Sequence, residues 1–379
     1  MRNRMMKILA AAIACALLVT ALLAFTSCGD DADKNTIHIG ASGPLTGNAA
    51  SYGISVQKGA ALAVEMINAA GGLNGLTFRL TMLDDQATST QASINYDTLL
   101  DQGIHVSIGA VTTDSCIAFG EKAMADNLFY ITPSASAASV IAGRPNGYRV
   151  CFSDPQQGEI AASYITDNGY TTVGAIYNID DAYSKGIYDA FAARMNALGK
   201  SFTARQFDNN NKADFSTQIE ALTGCDIIFL PMYYTEASLI ASKATEKGCN
   251  AVLFGSDGFD GIAGMLAPNV TNTIKYITPF DADSTDPVVK AFVEAYKAKY
   301  DGALPDQFAA DGYDAVMAIY EALKKADVRD TDRTVSEFCD LLRGVLSSSD
   351  FSLNGVTGKM TWNADGVPTK APQIKEIKR

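Results

Sequence analysis

Residues 105–138 read HVSIGAVTTDSCIAFGEKAMADNLFYITPSASAA, and this stretch decides the fold. The apolar runs 105–110 and 128–132 have strand character. Residues 113–125 between them have the length of a minimal crossover helix, which makes a βαβ unit with parallel strands. In open α/β sheets, ligands sit beyond the carboxyl ends of the strands. Those ends here carry Thr112, Thr113, Asp114 and Ser115, then Ser134 and Ser136. Thr113 falls at a helix start, where unpaired amides and the helix dipole favour a small anion such as a carboxylate. The same Thr and Ser residues also suit plain N-capping.

The alternation continues in both directions. Before the focal unit come strand 37–41, the turn-rich loop 42–47, helix 51–69 closed by Gly71-Gly72, strand 76–83 and helix 88–100. After strand 148–152 the pattern starts again with helix 156–167, strand 172–178, helix 183–198, strand 201–207, helix 214–223, strand 226–232, helix 235–247 and strands 251–255 and 273–278. Such alternation predicts an α/β chain with two doubly wound parallel-sheet lobes. From residue 286 three helices follow, 287–300, 308–325 and 335–346, then strands 359–362 and 373–377. Three helices in succession cannot make a third sheet, so they are expected to cover the first lobe while the tail returns to the second. The division is then 36–154 with 281–351 for the N-terminal lobe and 155–280 with 352–379 for the C-terminal lobe. Several strands of chain would cross between them as a hinge.

Length and charge agree with this plan. At 379 residues the chain suits two domains. A net charge of −12 with few basic runs argues against nucleic acid or an anionic membrane surface as partner. Arg2, Arg4 and Lys7 precede an apolar run from Ile8 to Phe25, the pattern of an export signal. Phe25-Thr26-Ser27-Cys28 resembles a bacterial lipobox, with Phe25 where Leu is more usual. The resemblance implies a signal peptide over 1–27, lipid on the Cys28 thiol and a polar tether over 28–35. The membrane would be reached only through that lipid.

Several chemistries lack their residues. The chain has no P-loop, no HExxH and no strand-coupled GxGxxG. His38 and His105 are its only histidines, so a histidine-based triad or acid/base pair is not expected. Ser55-Val56-Gln57-Lys58 matches SxxK without the KTG element that chemistry requires. Asp31 to Asn35 begins like a calcium loop, but Thr36 replaces the turn glycine. Asp84-Asp85 and Asp180-Asp181 follow strands, where capping or hinge contacts are expected. Of seven cysteines, Cys116, Cys151, Cys225, Cys249 and Cys339 lie beyond the signal. No two are near in sequence, and buried free thiols are expected. Neither metal nor cofactor is implied.

Six stretches then align in order: Ser42-Gly43-Pro44-Leu45-Thr46-Gly47, Tyr52-Gly53, Ile67-Asn68 with Gly71-Gly72, Asp84-Asp85, Ile131-Thr132-Pro133-Ser134-Ala135-Ser136, and Ala310-Asp311-Gly312-Tyr313-Asp314-Ala315. Together they resemble the branched-chain amino-acid-binding proteins, receptors of the type I periplasmic-binding-protein fold that deliver ligands to ABC importers. The resemblance, over about 36–366, implies no enzyme activity. It implies a monomeric lipid-anchored receptor outside the cytoplasm, with an amino acid or analogue as ligand and ABC permease subunits as partners. It places Thr113, the backbone of Ser134, and Ser136 around the ligand's carboxylate and ammonium, and Asp257 against the ammonium where relatives often carry the longer glutamate. Tyr52, Tyr183 and Tyr233 fall where the family lines its cleft with aromatics; Tyr183 aligns only with one inserted residue after Asn178. Relatives that take amides, urea or aromatic acids, and receptors that signal rather than transport, keep those alternatives open.

Overall fold

The computed structural model describes residues 34–377. Cys28 and the signal segment lie outside the described residues. Five strands, β1 (Thr36–Gly43), β2 (Thr77–Asp84), β3 (Val106–Ala110), β4 (Tyr130–Thr132) and β5 (Gly147–Arg149), form the first sheet in the order β2-β1-β3-β4-β5. Every pairing in it is parallel. Helices α1 (Ala50–Ala69), α2 (Ser89–Asp101) and α3 (Thr113–Ala125) are its crossovers. The inner strands carry residues such as Ile37, Ile39, Val106 and Ile108, all essentially inaccessible to solvent. Each such side chain contributes about 1.5–3 kcal/mol on burial.

The second lobe repeats the plan with α4 (Asp154–Asp167), β6 (Val173–Asn178), α5 (Ala182–Ala197), β7 (Thr203–Phe207), α6 (Ser216–Glu220), β8 (Ile227–Leu230), α7 (Tyr234–Glu246), β9 (Val252–Gly255) and β10 (Ile274–Thr278). Ser153 caps α4 in a reciprocal capping box with Gln156. Helix α6 is half the expected length. Thr223 bonds back to the Ile219 carbonyl at 3.0 Å and Gly224 follows, which ends the helix early.

Helices α8 (Pro287–Lys299), α9 (Gln307–Lys325) and α10 (Val335–Leu346) pack on the first lobe. The contact of α9 with α1 brings backbones together, because Gly59 and Gly312 carry no side chains. A Cβ on Gly59 would lie 1.8 Å from the Ala309 carbonyl oxygen, and one on Gly312 would lie 2.5 Å from that of Val56.

The tail corrects the expected division of residues 352–379. Strands β11 (Leu353–Gly355) and β12 (Gly358–Met360) form a hairpin that stays with the first lobe. The Asp314 carboxylate on α9 accepts from Val356 N at 2.8 Å and Thr357 N at 2.9 Å. Trp362 Nε1 donates to the Arg149 carbonyl at 2.7 Å. Only β13 (Gln373–Glu376) reaches the second lobe, pairing antiparallel with β10 at the edge of the order β13-β10-β9-β8-β6-β7. A buried carboxylate far away in sequence decides where the hairpin docks, and strand periodicity carries no trace of it.

Candidate ligand-binding site

Chain order reverses between β1 and β3 in one sheet and between β6 and β8 in the other. Such switch points leave crevices at the carboxyl ends of strands. Both crevices face the cleft between the lobes. Across it, Tyr52 of α1 donates its hydroxyl to the Gly258 carbonyl at 2.5 Å and accepts from Tyr234 N at 3.0 Å. The lobes are therefore closed on one another.

On the first-lobe side, the loop after β1 is tied down by the acidic pair. Asp84 accepts from Leu45 N at 2.8 Å and the Thr46 hydroxyl at 2.6 Å, and Asp85 accepts from the Ser42 hydroxyl at 2.9 Å. Thr112 is the N-cap of α3 but makes no side-chain capping bond. The Oγ1 atoms of Thr112 and Thr113 are buried without a hydrogen-bond partner. Ser134 spends its hydroxyl on the Val111 carbonyl at 2.7 Å, which leaves its backbone to face the cleft. Ser136 is fully buried and its Oγ also lacks a partner. The loop carrying both serines is held from beneath by the buried Arg149, whose guanidinium donates to the carbonyls of Ser136 and Ala137.

The second lobe presents Asp257 just after β9, 3% exposed. Tyr183 donates to its Oδ1 at 2.6 Å, and Asp257 N donates to Gln157 Oε1 at 2.9 Å. Burial pushes the Asp257 carboxyl up to about 6 despite these bonds. The Tyr183 and Tyr233 rings stack at 4.8 Å with an interplanar angle of 5°. Phe308 closes the far side, 4.4 Å from Tyr52 between ring centroids.

Tyr52, Thr113, Ser134, Tyr183, Tyr233 and Asp257 thus line a single cavity, completed by Val111, Thr112, Gly258 and Phe308. The space they leave is about 10 Å³, little more than one water-sized sphere. Ser136 stands one step outside that lining, beside Asp154.

Asp154 and Gln157 escaped the sequence reading. Asp154 opens α4, is 1% exposed, and donates its backbone N–H to the Ser136 carbonyl at 3.0 Å. Neither of its carboxylate oxygens has a hydrogen-bond partner, and burial pushes its pKa well above the usual carboxylate range. Gln157 Nε2 is likewise unpartnered. In sequence, Asp154-Pro155 looks like an ordinary helix start. The available signal was an acid one turn before Gln157, at the point where the chain leaves the first lobe.

Of the other singled-out residues, Asp181 caps α5 through Ser184 N at 2.7 Å, and Asp180 accepts from Asn209 N at 3.0 Å. His38 N donates to His105 Nδ1 at 2.9 Å near the amino ends of β1 and β3, away from the cleft. Among the described residues, no group of three or more His, Cys, Asp or Glu could hold a metal ion, and no helix is long and apolar enough to cross a membrane.

Two α/β lobes closed over a cleft at paired switch points define a bilobed solute-binding protein, a class that holds a small molecule without transforming it. The chain belongs to the periplasmic binding protein family, whose model matches residues 36–376. It is 30% identical over 305 residues to Leu/Ile/Val-binding protein homolog 3 of Brucella melitensis, covering 79% of this chain and 82% of that one. Its fold resembles that of the branched-chain amino acid transporter substrate-binding protein of Streptococcus pneumoniae, solved with isoleucine. The TM-score is 0.80 at 28% identity, over 89% of this chain and 95% of that chain. A leucine-binding protein from Thermotoga maritima superposes with a TM-score of 0.80 at 26% identity, over 90% and 95% of the two chains. By family the chain is a binding protein, and not an enzyme.

Proposed function

We propose that this protein binds an aliphatic, branched-chain type amino acid in the interlobe cleft and closes on it for delivery to ABC permease subunits. The lipid expected on Cys28 would tether it outside the cytoplasm as a monomer. The observation that carries the reading is the split of unpaired polar atoms between the lobes. Thr113 Oγ1 and Ser136 Oγ are unpartnered on the first-lobe side and both Asp154 carboxylate oxygens on the second, beside the buried Asp257 carboxylate that Tyr183 holds. Burying a zwitterion costs several kcal/mol per ion unless both charges are met. Hydroxyls and amides at the start of α3 meet the ligand carboxylate, and Asp257 meets the ammonium. Tyr52, Tyr233 and Phe308 supply apolar surface for the side chain.

Because neither lobe alone meets both charges, the ligand binds the closed form better and drives closure. The small residual cavity requires the lobes, or the stacked tyrosines, to draw apart before a ligand enters. Titration calorimetry with leucine, isoleucine, valine and amine-free analogues tests the reading. Micromolar binding of the amino acids, lost with their des-amino analogues, is the expected result. Equal affinity for isoleucine and its amine-free acid would remove the zwitterion from the site.

A further inference from the structure

At the end of the second sheet opposite the cleft, the fold brings together two cysteines that lie far apart in sequence. Gly224-Cys225-Asp226 leads into β8, and Gly248-Cys249-Asn250 leads into β9. These strands are parallel neighbours with Ile227 opposite Val252. Cys225 therefore stands two residues, and Cys249 three residues, ahead of one paired position. Adjacent strands run about 4.8 Å apart and rise about 3.3 Å per residue, so this one-residue offset separates the two Cα positions by roughly 6 Å, within the about 4.4–6.8 Å that a disulfide spans.

Both cysteines also meet at Leu222. Cys225 N donates to the Leu222 carbonyl at 3.0 Å, and Cys249 Sγ lies 3.9 Å from that same oxygen. Both side chains pack on the same face of the sheet, in the cluster that holds Leu222 and Ile228. Their exposure differs in a useful way. Cys225 is half-buried and lines a surface pocket with Thr171, Ser201 and Phe202, whereas Cys249 is 1% exposed.

We propose that Cys225 and Cys249 are a redox pair, an accessible attacking thiol and a buried resolving thiol, which an external disulfide closes into an intralobe disulfide. The Cys225 thiol loses its proton, and its thiolate attacks one sulfur of the external disulfide. A mixed disulfide forms and one thiolate leaves, to be protonated. Cys249 then loses its proton and attacks the Cys225 sulfur, expelling the second thiolate. Two cysteine thiols are oxidised, the external disulfide is reduced to two thiols, and the balance is complete. Compartments outside the cytoplasm, where this family works, let such bonds persist.

The closed loop contains β8 and α7 and clamps the base of the second lobe. The cleft lies at the other ends of these strands, so the pair is independent of the ligand reading. Burial, with the neighbouring Cys249, pushes the Cys225 thiol up. The attack therefore speeds up as pH rises toward alkaline values.

The test treats the purified protein with oxidised glutathione at pH 8, unfolds it, alkylates with a maleimide and maps the peptides by mass. Loss of two hydrogens (about 2 Da), a Cys225–Cys249 linked peptide and alkylation of Cys116, Cys151 and Cys339 are expected. In C249S, which keeps a small polar side chain, glutathione should accumulate on Cys225. In C225S neither the linked peptide nor the adduct should appear, and isoleucine binding should match that of the parent protein. Alkylation of Cys225 and Cys249 to the same extent before and after the oxidant would overturn the proposal. So would a linkage through any other cysteine, or an oxidised product that survives C225S.

Discussion

Tyr183 donates its hydroxyl to Asp257 Oδ1 at 2.6 Å, and the Tyr183 phenol oxygen accepts from Gly258 N at 2.9 Å. One phenol thus fixes both the acid proposed to meet the ligand's ammonium and the backbone beside it. Its ring stacks flat on Tyr233, so the hydroxyl cannot swing away without unstacking. The acid is held in place before any ligand arrives, which removes an ordering cost from binding.

Asp257→Asn should therefore weaken isoleucine binding by about 2–5 kcal/mol, roughly thirtyfold to several thousandfold, since it leaves a buried ammonium unpaired. Calorimetry reads the loss directly. An affinity within threefold of the parent protein would separate Asp257 from the ammonium.

Binding should also fall in acid. Asp257 must be ionised to meet a cation, and burial has raised its carboxyl to about 6. The apparent Kd should rise by up to tenfold per unit as pH drops below about 6. Tyr183→Phe removes a bond that favours the charged form. The onset should then move to higher pH, which a set of titrations between pH 4.5 and 8 would read.

The ligand-free protein should show the opposite trend in stability. Asp85, Asp181 and Asp257 each have carboxyls raised by burial to about 6. A raised folded-state pKa gives stability that is complete below the ordinary carboxylate pKa and is lost as pH rises through about 6. For these groups the expected result is a Tm higher at pH 5 than at pH 8 without ligand. A saturating amino acid should narrow the difference, because it favours ionised Asp257. A ligand-free Tm that climbs from pH 5 to 8 would contradict it.

Asp154→Asn keeps the shape of a side chain whose two carboxylate oxygens have no partner. Removing that buried acid should raise the Tm of the ligand-free protein and, at the same time, weaken amino-acid binding by about tenfold. Such trade-offs mark residues kept for function. Paired thermal-shift and calorimetric measurements test both arms, and unchanged affinity would assign Asp154 to structure alone.

Gly59→Ala should destabilise the first lobe by at least about 2–3 kcal/mol, because its Cβ would press on backbone rather than on a movable side chain. Chemical denaturation checks this. A loss below about 0.5 kcal/mol would mean that α1 and α9 can separate freely.

Much of the architecture was legible along the chain. Helix α3 spans 113–125 as read from its flanking strands, and the switch-point hydroxyls of Thr113 and Ser136 were visible as polar residues without packing reason. Tyr52, Tyr183, Tyr233 and Asp257 came from motif resemblance, and they line one cavity with Thr113 and Ser134. Asp154 was passed over because an acid before a proline at a helix start has an adequate local explanation. Its two unpartnered oxygens appear only when Ser136 and α4 are packed together.

The sequence by itself determined the alternation of strands and helices, the two lobes and the polar strand ends, because burial on a sheet or helix face repeats with a short local period. Tertiary structure decided the rest. Docking of the hairpin on Asp314, the reach of Tyr52 to Gly258, the Gln157–Asp257 bond and the meeting of Cys225 with Cys249 all join residues 24 or more positions apart. Such contacts depend on how completed elements pack, and a pattern with a period of two or of 3.6 residues cannot encode which distant partner each will meet.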